Sequence, residues 1–156
     1  MSLALRPVEP GDGDELHAIF TEHGVKQYLF DDILLRRDQT QAHVEAACEH
    51  GAWVIILDGV IVGLTSLRPT GADRELLIVI SERCWGRGVA YQAAQAALRH
   101  GFEVLKLPRI LAGVDLPNER SHRLMRRLDF VAIGESDGSK YRARNYEILR
   151  RAWPSS

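Results

Sequence analysis

Residues 76–80, Leu-Leu-Ile-Val-Ile, form an unbroken apolar run that leads through a short polar stretch into Gly86-Arg87-Gly88 and then a helical pattern from Val89. Five consecutive apolar residues, three of them β-branched, describe a strand buried on both faces. The order strand, glycine loop, helix has a physical use. The first N–H groups of a helix have no partner within it, and the helix dipole concentrates partial positive charge there. Glycines let the backbone approach an anion without a Cβ in the way. The unit is therefore a phosphate cradle, although a tight connection that holds no ligand reads the same. Two nucleotide fingerprints are excluded. Val89, Ala90 and Tyr91 follow Gly88, so the third glycine of a dinucleotide loop is missing, and no Gly-Lys-Ser/Thr is present for a nucleoside triphosphate.

The flanking chain decides what kind of sheet this strand joins. Residues 3–7 open in extended form. Asp12 or Asp14 caps a first helix with Leu16, Ile19 and Phe20 on its apolar face, and Gly24 is its expected stop. A short helix and loop cover 25–35, and a third helix covers about 40–50. Two apolar runs, 53–57 and 60–67, flank Asp58-Gly59, a strong hairpin signal. After a Pro69-Thr70-Gly71-Ala72 turn the apolar strand occupies 74–80. The helix from Val89 extends to about Leu105, with Ala90, Ala94, Ala97, Leu98 and Gly101 along one side and Pro108 marking its end. A strand at 109–114, a basic amphipathic helix at 118–128, and strands at 130–133 and 141–149 complete the chain. This order predicts an α/β or α+β sandwich and not a doubly wound sheet.

A chain of 156 residues predicts one domain, residues 1–156. It buries about 70% of its unfolded surface, enough to need no disulfide or metal staple. The net charge of −1 removes any global electrostatic case for nucleic acid or a membrane surface. The cluster Arg120, Arg123, Arg126 and Arg127 is the best local argument for nucleic acid, and a solvated helix face explains it as well. Cys48 and Cys84 have no metal-ligand spacing and fit a reducing compartment. With no leader-like segment and no apolar run of membrane length, the expectation is a cytoplasmic protein without metal, membrane or nucleic-acid partner.

Trp85-Gly86-Arg87-Gly88-Val89-Ala90, fed by an apolar strand, resembles the acyl-CoA pyrophosphate loop of the GNAT acetyltransferases, in the branch of ribosomal-protein and spermidine N-acetyltransferases. The wider family reads Gln/Arg-x-x-Gly-x-Gly/Ala, and Trp85 stands at the Gln/Arg position. A second motif, Asn118-x-x-Ser121-x-x-Leu124-Met125-x-Arg127-Leu128-x-Phe130, is similar to the family's Asn-x-x-Ser helix, normally followed by Leu-Gly-Phe. Asp129 replaces that glycine, at a position where a left-handed backbone suits Asp less well than Gly. Leu5-Arg6-Pro7 and Tyr146-Glu147-Ile148-Leu149-Arg150 also look like this branch. The resemblance spans nearly the whole chain. It implies a mixed, mostly antiparallel sheet flanked by helices and splayed between the fourth and fifth strands. It implies an acetyl-CoA-dependent N-acetyltransferase in which a primary amine (a small amine, amino acid, polyamine or protein N-terminus) attacks the thioester directly. An acyl-CoA-binding sensor without turnover is the alternative.

The residue roles follow from both readings. Backbone N–H groups of residues 86–90 hold the CoA pyrophosphate, with Val89 and Ala90 at the helix start; Arg87 either adds a salt bridge or is a solvated loop arginine. The resemblance implies that pantetheine pairs with the main chain of Ile78, Val79 and Ile80, whose side chains are core. Asn118 is an N-cap that can also bond pantetheine. Ser121, one turn on, is in relatives a proton donor or orienter near the thioester sulfur. Glu75, where relatives often carry a carboxylate, is the expected base, or else a solvated neighbour of Arg74. Ile133 stands where some relatives have a glutamate, and Glu135 follows it exposed. The resemblance implies an acceptor site shaped by the early helices and the final hairpin, which makes Tyr28, Phe30, Asp31 and Asp32 candidates to line it, with Tyr28 and Asp31 as substrate-binding candidates; a helix cap or solvated turn explains the acidic pair as well. Tyr141 and Tyr146 are possible acids or packing residues. His122 is expected at the surface, Cys84 is not required as a nucleophile, and exposed final strands suit a homodimer.

Overall fold

The computed structural model describes residues 2–154. Its elements are β1 (Leu3–Pro7), α1 (Gly13–Phe20), α2 (His23–Leu29), α3 (Arg37–Cys48), β2 (Ala52–Leu57), β3 (Val60–Thr70), β4 (Asp73–Ile80), α4 (Val89–Arg99), β5 (Arg109–Asp115), α5 (Glu119–Arg127), β6 (Val131–Ser136) and β7 (Ala143–Leu149). The strands form one seven-stranded sheet in the order β1-β2-β3-β4-β5-β7-β6. Every neighbouring pair is antiparallel except β4 and β5, which run parallel. The expected mixed, mostly antiparallel sheet is the one observed. Among the described residues no helix is long and apolar enough to cross a membrane.

Local chemistry explains the connections. Asp58 and Gly59 both take positive φ (50° and 85°), the backbone of a tight hairpin turn whose twist matches its strands. β3 and β4 extend further than their apolar cores, because Gly71 (φ 59°) confines the reversal to Gly71 and Ala72. The parallel step from β4 to β5 requires a long crossover, and α4 supplies it.

Alternation along β3 and β4 separates two faces. Leu64 and Val79 pack with Leu16, Ile19, Phe20, Val25 and Val44 from α1, α2 and α3. Leu67 and Leu76 pack on the opposite face with Ala94, Ala97 and Leu98 of α4 and Met125 of α5. A third cluster joins Ile55, Val62 and Ile80 to Cys84, Val89 and Ala93, which seats the start of α4 against the sheet.

Three local expectations are corrected. Gly24 does not stop the first helix; α1 ends at Phe20, and Gly24 lies inside α2. Its missing side chain is needed for packing, since a Cβ there would fall 2.6 Å from Cη2 of Trp85. The helix expected to run to about Leu105 is regular only to Arg99 and then widens into a π-helical turn, His100–Val104. Gly101 sits in that turn, where a Cβ would meet Ile110 Cδ1 at 2.7 Å. His122 is not a surface residue but is 1% exposed. Its ring nitrogens are fully used. Nε2 lies 3.1 Å from both the Asp115 and Leu116 carbonyls, which can only accept, so Nε2 carries the proton and Nδ1 receives the Tyr146 hydroxyl at 2.7 Å.

Candidate active site

β4 and β5 meet at a single register pair, Glu75 opposite Leu111, and separate beyond it. The closed end is tied by Arg109. Its guanidinium donates to both Asp73 oxygens (3.0 and 2.9 Å) and to Glu147 (3.0 Å), linking β4, β5 and β7. These carboxylates raise the Arg109 pKa, the Asp73 hydrogen bonds most of all. Past the contact, a cleft of about 510 Å³ opens between residues 76–80 of β4 and residues 112–115 of β5. One side is built by the start of α4 and the other by Asn118, Ser121 and Leu124 around the start of α5; Tyr28 of α2 also lines it.

The glycine loop has the geometry of an anion cradle. Gly86 and Gly88 take φ of 76° and 77°, which side chains disfavour. Gly88 is the N-cap of α4, and its carbonyl accepts from Gln92. The N–H groups of Val89 and Ala90 are thus left at the helix start, where the dipole favours negative charge. A Cβ at either glycine would meet no protein atom within 4 Å, so the space above the loop is open. Arg123 and Arg127 also line the cleft. Arg127 lies over the Tyr91 ring at 3.9 Å, and Arg120 lies over Trp85 at 3.3 Å. These stacks join α5 to the loop and to the helix start. Trp85 is fixed in turn by its Nε1 hydrogen bond to the Ile80 carbonyl, 2.9 Å. This donor set, with backbone amides, open glycines and nearby guanidinium groups, fits the diphosphate of an acyl-CoA.

Asn118 caps α5. Its Oδ1 accepts from the Ser121 amide at 3.4 Å, and its Nδ2 donates to Ser121 Oγ at 3.0 Å. That orientation uses a lone pair of the serine hydroxyl and leaves its hydrogen available to the cleft. α5 closes in a left-handed turn at Asp129 (φ 68°), where Phe130 donates to the Met125 carbonyl at 3.0 Å. The glycine-to-aspartate departure thus keeps the turn geometry.

The segment after α2 meets the loop between β6 and β7. Asp31 and Asp32 both take positive φ (52° and 66°). Asp32 pairs with Lys26 and Lys140, and the Lys26 hydrogen bond is the main cause of its lowered pKa. Asp31 accepts from the Ser139 hydroxyl, and Tyr28 packs on Tyr141 with ring centroids 5.4 Å apart. Asp115, at the end of β5, lines the cleft. Burial first, and then the charge of Asp31, push its carboxyl above the ordinary value.

The structure brings together Tyr28, Ile78, Val79, Ile80, Gly86, Gly88, Val89, Ala90, Asn118 and Ser121 around one cleft. Arg87 is an exposed residue of the loop and Asp31 is half-buried; neither lines the cleft. Glu75 is not brought to it either. Alternation sends Leu76 into the core and turns Glu75 the other way, onto Arg68 at 2.7 Å. Asp115 was not singled out from the sequence. Its only local signal is its position, three residues before the Asn118 cap at the end of an apolar strand.

A splayed sheet with an anion cradle at one end of the opening defines an acyl-CoA-dependent acyltransferase. A family profile described as "Acetyltransferase (GNAT) domain" matches residues 2–131, and the chain belongs to the GNAT acetyltransferases, which use acetyl-CoA. It is 30% identical over 141 residues to the spermidine N(1)-acetyltransferase of Escherichia coli K12, covering 86% of this chain and 75% of that protein. The structure of a GNAT-family acetyltransferase from Bacillus anthracis superposes with a TM-score of 0.86 at 23% identity, covering 97% of this chain and 96% of that one. The spermidine N-acetyltransferase of Vibrio cholerae, solved with CoA and spermine, gives a TM-score of 0.79 at 21% identity, covering 96% of each chain. These relatives make this chain an acyltransferase enzyme, so the reading as a sensor without turnover is set aside.

Proposed function

We propose that this enzyme moves the acetyl group of acetyl-CoA to a cationic primary amine, by direct attack and without a covalent enzyme intermediate. One observation carries the reading: the same cleft is lined by the amide-bearing start of α4 and by Asp115, with Asp31 near enough to raise the Asp115 pKa. The start of α4 thus favours an anionic group and Asp115 a cationic one.

Bound acetyl-CoA supplies the activated acyl thioester. The chain supplies the rest. The N–H groups of Val89 and Ala90 hold the diphosphate, and Arg123 and Arg127 add charge beside it. The main chain of Ile78, Val79 and Ile80, on the edge of β4 that β5 leaves uncovered, offers hydrogen bonds to an extended amide-containing arm. The Ser121 hydroxyl, oriented by Asn118, donates at the place where negative charge develops. Tyr28 and Asp31 receive the acceptor. Cys84, although it lines the cleft, has no covalent role.

The names of the Escherichia coli and Vibrio cholerae relatives make polyamines the first acceptors to assay. Thiol release should be followed with acetyl-CoA and a panel of spermidine, spermine, amino acids and peptides with free N-termini. Turnover is expected with the polycationic amines and is expected to weaken with salt. A folded sample that binds acetyl-CoA and acetylates none of them would sink the proposal.

A further inference from the structure

We propose that Asp115 is the group that takes the proton from the acceptor ammonium. The inference rests on the acetyl-transfer reading above and assigns the base that this reading leaves open.

A base must reach the amine, and among the residues lining the cleft Asp115 is the one carboxylate. Among the described residues no histidine lines it. Other carboxylates near the sheet or the acceptor end are engaged: Glu75 by Arg68, Asp32 by Lys26 and Lys140, Asp73 and Glu147 by Arg109, Glu135 by Arg142, Glu22 by the Ser81 hydroxyl and the Glu82 amide, and Glu82 by the Gly24 amide. Asp31 is held by Ser139. The Asp115 carboxylate makes no hydrogen bond or ion pair with another described residue.

Its backbone, by contrast, is fixed. The Asp115 carbonyl accepts from the Asn118 amide at 2.9 Å and from buried His122 at 3.1 Å, and the next residue, Leu116, donates to Arg142 at 2.8 Å. A rigid strand end thus presents an unengaged carboxylate beside the Asn118–Ser121 pair. Partial burial and the facing charge of Asp31 favour the protonated form, which suits a group that must accept a proton near neutral pH. An ammonium entering beside the two carboxylates is attracted by both.

The proton count closes. One N–H bond of the ammonium breaks toward Asp115, which frees the nitrogen lone pair. The N–C bond forms as the C–S bond breaks, with the electron pair leaving on sulfur. The second proton shed by nitrogen as the amide forms goes to that thiolate, by way of water or Ser121. Asp115 returns its proton to solvent, so each turnover releases one H⁺ from a protonated amine.

The test uses the full chain with Asp115→Asn, Asp31→Asn and Glu75→Gln. Thiol release with acetyl-CoA and a polyamine gives kcat, calorimetry gives the acetyl-CoA Kd, and carboxyl ¹³C NMR follows Asp115 in the free protein. Asp115→Asn is expected to lower kcat by about 100-fold or more while the acetyl-CoA Kd changes little. Glu75→Gln should stay near wild type. Asp115 should titrate above an ordinary aspartate, and Asp31→Asn should bring it down. A kcat loss under about tenfold in Asp115→Asn overturns the proposal, as does an ordinary Asp115 titration indifferent to Asp31→Asn. Wild-type turnover with an unimpaired Asp115→Asn removes this assignment alone; a wild-type protein inert toward every amine removes the acetyl-transfer reading and this assignment together.

Discussion

Gly88 carries two requirements in one position. It caps α4 in a left-handed backbone, and it keeps the space above the first amides open. Alanine meets no protein atom there, so its cost is conformational, about 1–2 kcal/mol for a side chain at this φ. Gly88→Ala is expected to lower unfolding stability by about that amount in urea titrations and to weaken acetyl-CoA binding about tenfold or more by calorimetry. Equal binding by the two proteins would refute the role given to the loop. Such a requirement is local, which is why the loop was legible in the sequence, and the same is true of Asp58-Gly59 and of the Asn118 cap. Residues whose role depends on distant partners were not legible. His122 sits among arginines on a basic helix and reads as a surface residue, yet it is buried. Its hydrogen-bond partner Tyr146 is 24 residues away, and nothing near His122 in sequence announces it. Glu75 was misplaced for a related reason. A strand end beside a motif reads as a site, but the period of two decides which face a side chain takes, and Arg68 comes from the neighbouring strand.

An ion pair between Arg6 and Asp12 ties β1 to the segment that starts α1. Asp12 is 5% exposed, and its carboxylate accepts from Arg6 at 2.9 and 2.7 Å and from the Glu9 amide at 2.8 Å. The Arg6 hydrogen bonds are the main reason that the Asp12 carboxyl sits below its ordinary value, against the opposing effect of burial. A carboxyl with a depressed pKa in the folded state contributes stability that is full above its unfolded pKa, near pH 4, and is lost as pH falls through the lower folded value. Asp12→Asn should cost about 1.5–3 kcal/mol at neutral pH, the range for hydrogen bonds to charged groups. The gap between wild type and variant should narrow below about pH 4. Urea midpoints measured between pH 7 and 3 check this, and a gap that stays constant across the series would remove the ionised carboxylate as its source. Among the elements themselves, type and order were legible, whereas ends were not. α1 ends at Phe20 and α2 begins at His23, so the break falls before Gly24, the residue the glycine signal marked. α4 gives way to a π turn because the chain must close on Leu67 and Ile110, which a count of apolar spacings does not contain.

The molecule as a whole is two packed faces on one sheet, with the sheet opened between β4 and β5. Opening a sheet leaves main-chain groups of β4 without a strand partner, and such groups are costly when kept from water. A ligand arm that pairs with β4 and is held by phosphate at the start of α4 would restore those bonds and tie the α4 and α5 sides of the cleft together. On this argument acetyl-CoA acts as a structural member of the folded state, and its binding must appear in global stability. A ligand that binds only the folded chain at 100 times its Kd adds about 2.7 kcal/mol. A chain of this length gains roughly 2–4 °C in Tm per kcal/mol, so saturating acetyl-CoA should raise Tm by about 5–11 °C. The two ends of the ligand can be separated. CoA without the acetyl group should give nearly the same shift, because the acetyl carbon is a small part of the contact. Pantetheine, which lacks the diphosphate, should give little, and Gly88→Ala should erase most of the difference between CoA and pantetheine. Added salt should reduce the CoA shift more than the pantetheine shift, since only the former includes charges partly open to solvent. If pantetheine matched CoA in wild type, the diphosphate would not be the anchor, and the cradle at Gly86 and Gly88 would be a tight turn with no ligand of its own.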